Sequence, residues 1–168
     1  MAPTYSPDQL SDLEDIRQLK YRYLRALDQK LWDLLADCLT EDAVAEYSAG
    51  KYRHEGRDAI VEWISTAMGA ETFLSSHRCH HPEIELTGPD SATATWALED
   101  VVVIEDVGLT IQGAAFYVDE YRREDGVWKI ARTGYKRTYE EIFPRASVDG
   151  LELTASWWGT GGQSSLEA

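Results

Sequence analysis

The chain has 168 residues, 43% hydrophobic and 27% charged, which is typical of one globular domain large enough to form its own core. Its net charge of −14 argues against a nucleic-acid partner or an anionic membrane surface, because either requires a basic patch. No apolar run approaches the roughly 20 residues that cross a bilayer, and the N-terminus lacks a signal-peptide pattern. We therefore expect a cytoplasmic protein.

The first part of the chain has helical periodicity. Apolar residues recur at three- and four-residue steps over residues 7–28, and Ser6 with Gln9 forms a capping box at the start. A short helix is predicted over residues 30–39. A third helix is predicted over residues 57–68, directly before a glycine.

From Thr72 onward the apolar period changes to two, which predicts strands. Long strands fit residues 72–87, 91–106, 109–124 and 127–140, after a short strand at 43–47 that returns through 52–55. Helices followed by long antiparallel strands predict an α+β fold in a single domain of residues 1–142. Residues 143–168 are rich in Gly and Ser without periodicity, so we expect an extended or partly disordered arm.

Three of the four histidines lie in the segment His77–His81, at the start of the first long strand. Simple alternation places His80 on the same side as the apolar residues that follow, so alternation predicts that His80 faces inward. Pro82 interrupts the hydrogen-bond ladder and permits a bulge, which would turn His77 inward instead.

A metal site is not expected from these residues. A zinc ion would need a third ligand beside the histidines, and the sequence supplies none nearby. Cys38 and Cys79 lack both CxxC and zinc-finger spacing and are interpreted as reduced core residues. No motif for a nucleotide or flavin is present, so we expect no cofactor.

Asp28 ends the first helix, where the helix dipole disfavours a carboxylate, so its position needs a reason. An acid there and an imidazole on a facing strand would form an acid/base pair. Tyr23 lies roughly 140° from Asp28 on an ideal helix, so the two share a face only loosely. Farther on, Asp100 indicates either a pocket wall or an exposed sheet edge, and Arg137 either an anion clamp or a surface ion pair.

The chain resembles the nuclear transport factor 2-like superfamily, specifically its SnoaL-like branch, over roughly residues 8–142. The segments that carry the resemblance are Tyr23-x4-Asp28, Glu55–Ile60, His77–Leu86, Asp119–Ile130 and Thr133–Arg137. The resemblance implies a cone: a strongly curved, mostly antiparallel sheet folded over three helices from the N-terminal half, with a pocket inside.

Within this branch the chain is most similar to scytalone dehydratases, bile acid 7α-dehydratases and hexachlorocyclohexane dehydrochlorinases, which are cofactor-free lyases. The resemblance puts the catalytic aspartate on Asp28, the catalytic histidine on His77 and a catalytic tyrosine on Tyr23. Tyr23 stands where the dehydrochlorinases have a lysine, which favours the dehydratase pattern. We follow the resemblance and expect His77 as the base, with His80 in reserve. Expected substrate-binding residues are Tyr47, Arg137, Trp96, Asp100, Tyr117 and His80.

These residues predict a cofactor-independent lyase or isomerase that acts on a hydrophobic, polycyclic or hydroxylated small molecule. Two alternatives remain: a non-catalytic module for ligand or protein binding, and a cyclase or ketosteroid-isomerase-like enzyme that uses Asp28 alone. The resemblance also implies a homo-oligomer, with a trimer favoured over a dimer. Trp157 and Trp158 in the arm would then close a neighbour's pocket.

Overall fold

A single six-stranded sheet with three helices forms the fold. The structure is a computed structural model that describes residues 4–162. Its elements are α1 (Pro7–Asp28), α2 (Trp32–Asp37), β1 (Leu39–Tyr47), β2 (Tyr52–Glu55), α3 (Arg57–Met68), β3 (Phe73–Gly88), β4 (Ser91–Ile104), β5 (Leu109–Glu124) and β6 (Val127–Pro144). Within this described range the strand order is β2-β1-β6-β5-β4-β3; the β1–β6 pair is parallel and the other four pairs are antiparallel. The predicted α+β architecture, a curved and mostly antiparallel sheet with three helices, is confirmed.

Local sequence explains where the main elements begin and turn. The Ser6 hydroxyl accepts from the Gln9 amide at 3.2 Å, and the Gln9 side chain accepts from the Ser6 amide at 2.9 Å, so the capping box is formed. Between β5 and β6, Asp125 and Gly126 have φ of 51° and 81°. Two consecutive positive φ values are what a tight two-residue hairpin requires.

Several element boundaries differ from the prediction. α2 begins at Trp32, because Lys30 has φ of 54° and interrupts the helical path. β1 begins at Leu39 instead of residue 43, and β6 continues to Pro144. Short 3₁₀ turns cover Glu105–Val107 and Arg145–Ser147. No helix within residues 4–162 is long and apolar enough to cross a bilayer.

The C-terminal arm folds back on its own chain. Residues 151–156 have no regular structure and turns follow up to residue 162, while the last six residues of the predicted arm lie outside the described part. The Trp158 ring lies 4.9 Å from the Lys30 Nζ of the same chain. The division at residue 142 and the contact of Trp157 and Trp158 with a neighbouring subunit stay predictions.

A buried ion pair joins α1 to the middle of the sheet. Lys20 Nζ on α1 lies 2.7 Å from Asp119 Oδ2 on β5, and both side chains have zero exposure. Asp119 also accepts from the hydroxyls of Thr133 at 2.7 Å and Tyr121 at 2.8 Å. The Tyr121 hydroxyl in turn accepts from the Trp96 indole at 3.0 Å. The ion pair and the two hydroxyl donors together offset the cost of burying the Asp119 carboxylate.

Asp119→Asn should lower the free energy of unfolding by about 3–5 kcal/mol, because the variant leaves the Lys20 ammonium buried without its counter-charge. Urea denaturation of both proteins measures the difference. Asp42→Asn is the matched control, since it breaks an ion pair with Arg122 in which the carboxylate is 69% exposed, and its loss should be much smaller. Equal losses in the two variants would contradict this account of the core.

Candidate active site

A β-bulge in β3 determines which histidine faces the helices. His81 and Pro82 together lie opposite the single residue Trp96 of β4. His81 has φ of 47°, in the left-handed region. The extra residue shifts the alternation of β3 by one position, so residues before the bulge point to the opposite face from the one that uninterrupted alternation predicts.

His77 therefore lies on the face that packs against α1, paired across the strands with Asp100. The inward orientation that alternation predicts for His80 is wrong. Its side chain is 42% exposed, and its Nε2 lies 3.9 Å from a carboxylate oxygen of Glu99. The physical reason is the bulge. Pro82 permits a bulge here, but the sequence alone does not show at which position the extra residue lies.

Asp28 and His77 are in direct contact. His77 Nδ1 lies 2.7 Å from Asp28 Oδ1. The His77 backbone amide donates to Asp28 Oδ2 at 2.9 Å, and the Ser75 hydroxyl donates to Oδ1 at 2.8 Å. Both oxygens of the carboxylate are thus occupied, and the imidazole keeps Nε2 for a ligand. We call this arrangement the Asp28–His77 pair.

Two opposing effects set the pKa of Asp28. Burial acts to raise the pKa, while the hydrogen bonds from His77 and Ser75 and the charge of His77 act to lower it. The lowering effects are larger, and the pKa of Asp28 lies below its ordinary value. The carboxylate is therefore ionised at neutral pH and can orient the imidazole and stabilise its protonated form.

His77 also borders a small aromatic cavity of about 80 Å³ inside the cone. Its lining residues come from α1, α3 and strands β1, β3, β5 and β6. Its lining residues are Tyr23, Leu27, Tyr47, Trp63, Ile64, Met68, His77, Tyr117 and Tyr135. Three expected site residues besides His77, namely Tyr23, Tyr47 and Tyr117, are thus brought to the same cavity.

Two tyrosine hydroxyls meet at this cavity. The hydroxyls of Tyr23 and Tyr47 are 2.7 Å apart, and the Tyr47 ring stacks on Trp63 with centroids 5.5 Å apart. Burial raises the pKa of both tyrosines, so both hydroxyls stay protonated. One proton is used in the bond between them, which leaves the second proton available for a ligand.

The remaining predicted binding residues lie outside the cavity lining. Trp96 is fully buried in the core, where its indole already donates to Tyr121. Asp100 is buried and accepts two hydrogen bonds from the Arg137 guanidinium, one of them at 2.8 Å. Arg137 also lies 3.1 Å from Glu140. Because these carboxylates already occupy the guanidinium, Arg137 does not present a free anion clamp.

Sequence reasoning missed the contributions of Ser75, Tyr135 and the Lys20–Asp119 ion pair. Ser75 shares the parity of His77 on β3, so its contact with Asp28 was accessible once His77 was placed inward. On β6, Tyr135 likewise has the same parity as Arg137. No local pattern points to the partnership of Lys20 and Asp119, since only the packing of α1 on the sheet brings them together.

Within residues 4–162, no group of three or more His, Cys, Asp or Glu side chains is arranged to hold a metal ion. Cys38 and Cys79 are free thiols. The residues around the Asp28–His77 pair offer general acid/base groups and hydroxyl donors, which suit proton transfer.

The ammonium group of Lys30 connects several elements at the rim of the cavity. Lys30 Nζ donates to the carbonyl oxygens of Met68, at the end of α3, and Phe73, at the start of β3, both at 2.8 Å. The Trp158 ring covers the same ammonium group. The ends of α1, α3 and β3 and the arm therefore meet beside the cavity.

A family model described as the SnoaL-like domain matches residues 8–134 of this chain. Similar sequences include an uncharacterized protein of Mycobacterium tuberculosis and one of Mycobacterium bovis. Each is 23% identical over 139 residues, which span 80% of this chain and 90% of the relative.

Solved structures with a similar fold include two enzyme-type proteins. A scytalone dehydratase-like protein from Novosphingobium aromaticivorans DSM 12444 is 20% identical with a TM-score of 0.73, and the match covers 79% of this chain and 88% of that one. A hexachlorocyclohexane dehydrochlorinase from Novosphingobium barchaimii LL02 is 19% identical with a TM-score of 0.75, covering 89% and 98%. Likeness at these identities shows a shared fold.

Asp28→Asn should cost stability at neutral pH and progressively less in acid. The ionised carboxylate stabilises the fold because its pKa is depressed below the ordinary 3.8. Its contribution is complete above that value and is lost as the pH falls through the lower, folded-state pKa. The difference in unfolding free energy between wild type and variant, measured by denaturation from neutral pH downward, should shrink in this window.

A direct titration checks the cause of the shift. The carboxyl carbon of Asp28, followed by NMR, should titrate at a higher pH in His77→Gln than in wild type. The variant removes both the ring hydrogen bond and the positive charge. Identical midpoints would contradict the assigned role of His77.

Proposed function

Because this chain belongs to the SnoaL-like domain family, we propose that it is a cofactor-independent lyase of the dehydratase type. Its substrate would be a hydrophobic, hydroxylated small molecule. The observation that carries the proposal is the 2.7 Å contact of Asp28 with His77 at the wall of an aromatic cavity. Proteins of the same fold described as dehydratase-like and dehydrochlorinase give the reaction class its precedent.

In the proposed reaction, His77 Nε2 takes a proton from the carbon next to a carbonyl group. The electrons of that C–H bond form a carbon–carbon double bond, and the C–O bond of the neighbouring carbon breaks. The departing hydroxyl receives that proton from the imidazolium, either directly or through a tyrosine hydroxyl that the imidazolium reprotonates, and leaves as water. No oxidant or reductant is needed, because the substrate divides into an alkene and water.

Asp28 and the tyrosines have separate parts in this scheme. Asp28 holds Nδ1 of the imidazole, so that the proton is accepted at Nε2, and stabilises the imidazolium that forms. The free proton of the Tyr23–Tyr47 pair would donate to the carbonyl oxygen as negative charge develops there. With both oxygens of Asp28 already occupied, the arrangement favours the histidine as base over a mechanism with Asp28 alone.

An isomerase would share the first step of this reaction. The same base would return the proton to a different carbon instead of losing a hydroxyl. The Asp28–His77 pair and the tyrosine hydroxyls suit both outcomes, so the test must follow proton removal and water loss separately.

The test uses small ketones that suit a small cavity. Wild-type protein in D₂O should exchange the α-protons of cyclohexanone, read by NMR, and should convert 3-hydroxycyclohexanone to cyclohexenone, read by ultraviolet absorbance. His77→Gln should lower both rates by about 10²–10⁴-fold, the usual contribution of a general base. Asp28→Asn should also lower both rates, since the imidazole loses its orienting partner.

His81→Asn is the matched control. His81 is an exposed histidine four residues away that lies outside the cavity lining, and asparagine tolerates its positive φ. This variant should retain wild-type rates. Unchanged rates in His77→Gln would refute the proposal, and exchange without water loss from the hydroxy ketone would assign the isomerase instead.

A further inference from the structure

A groove between α1 and β3 also reaches the Asp28–His77 pair. Its volume is about 520 Å³, and Asp28 and His77 are among its lining residues. His77 thus borders both this groove and the aromatic cavity. Small-molecule sites usually occupy about 300–1,000 Å³, so the groove has room for a whole ligand where the cavity of about 80 Å³ has room for one end of it. We call it the α1–β3 groove.

Two arginines that line the groove form no ion pair within residues 4–162. Seven of the eleven arginines pair with a carboxylate, as expected for a chain of net charge −14. Arg25 and Arg78 both line the groove, and neither has a carboxylate partner among residues 4–162. The Arg25 guanidinium donates to the Gln29 side-chain amide oxygen at 3.4 Å. Both side chains therefore retain donors for an external anion.

The acidic groups nearby do not form ion pairs with these two arginines. Asp28 is occupied by His77 and Ser75. Glu99 stands opposite Arg78 in the β3–β4 ladder, but its carboxylate is 67% exposed and lies 3.9 Å from His80, a further lining residue, without an ion pair to Arg78. The rest of the groove includes apolar surface from Tyr21 and Leu24. Apolar walls with a few charged donors are typical of sites for amphipathic small molecules.

We propose that the α1–β3 groove binds the anionic group of an amphipathic small molecule. Arg25 and Arg78 hold a carboxylate or phosphate, and the apolar part packs against Tyr21 and Leu24 and extends toward His77. As an assignment of substrate class, this inference rests on the proposed function. As a binding site, it is testable without turnover.

The test compares three probes with the same ring system: 2-naphthoate, 2-naphthyl phosphate and the neutral 2-naphthamide. Calorimetry on the full chain should detect tighter binding of at least one anion than of the amide, weakening at high salt. Arg25→Gln and Arg78→Gln should each weaken the anion about tenfold, the effect of one charge-assisted hydrogen bond. The preferred anion identifies the headgroup as carboxylate or phosphate.

Arg22→Gln is the matched control, because Arg22 is also an exposed arginine of α1 but lies outside the groove. It should leave anion affinity unchanged. Three outcomes would each overturn the inference. They are failure of both anions to bind, binding of the amide as tight as that of the anions, and equal losses of affinity in Arg22→Gln and Arg25→Gln.

The two proposals fail separately. If 2-naphthoate binds in a way that depends on the arginines but proton exchange does not depend on His77, the groove proposal stands and the lyase proposal is rejected. Exchange that requires His77, with anions and amide bound alike, retains the lyase and rejects the groove.

Discussion

The ion pair between Lys20 and Asp119 is the constraint on which the site depends. Both groups are fully buried, so α1 can pack on the sheet only in the position that brings the ammonium to the carboxylate. The same ammonium lies 3.5 Å from the ring centroid of Tyr117, a wall of the cavity. Tyr23 and Asp28 follow on the same helix, and their positions over the sheet are therefore set by a contact one to two turns earlier.

Most of the architecture could be predicted from local signals, and the orientation of the histidines could not. The capping box, the change of period and the hairpin residues act over a few positions, so the sequence displays them directly. The choice between His77 and His80 depends on the extra residue in the bulge at His81. Pro82 indicates that a bulge is permitted, but its position in the ladder depends on pairing with β4. The family resemblance favoured His77 where alternation favoured His80.

Long-range pairing explains the other differences between prediction and structure. The sequence leaves Arg137 as either an anion clamp or a surface ion pair, and the register of β4, β5 and β6 brings it to the buried Asp100. Trp96 is expected to line the pocket, yet its indole donates a hydrogen bond to the Tyr121 hydroxyl in the core. The residue pattern within one strand does not predict which residue of a neighbouring strand a side chain will contact. The polar groups that line the cavity are tyrosine hydroxyls and one imidazole, and these groups are suited to proton transfer.

The position of Lys30 has a consequence for local unfolding. Helix ends ordinarily fray, and Asp28 is the last residue of α1. Two residues later, Lys30 is bonded to the end of α3 and the start of β3 and covered by Trp158. We therefore expect the final turn of α1 to open together with the cavity rim, so that its amide protons exchange with the same opening free energy. An opening that exposes the cavity would then also disorder the carboxylate that orients His77.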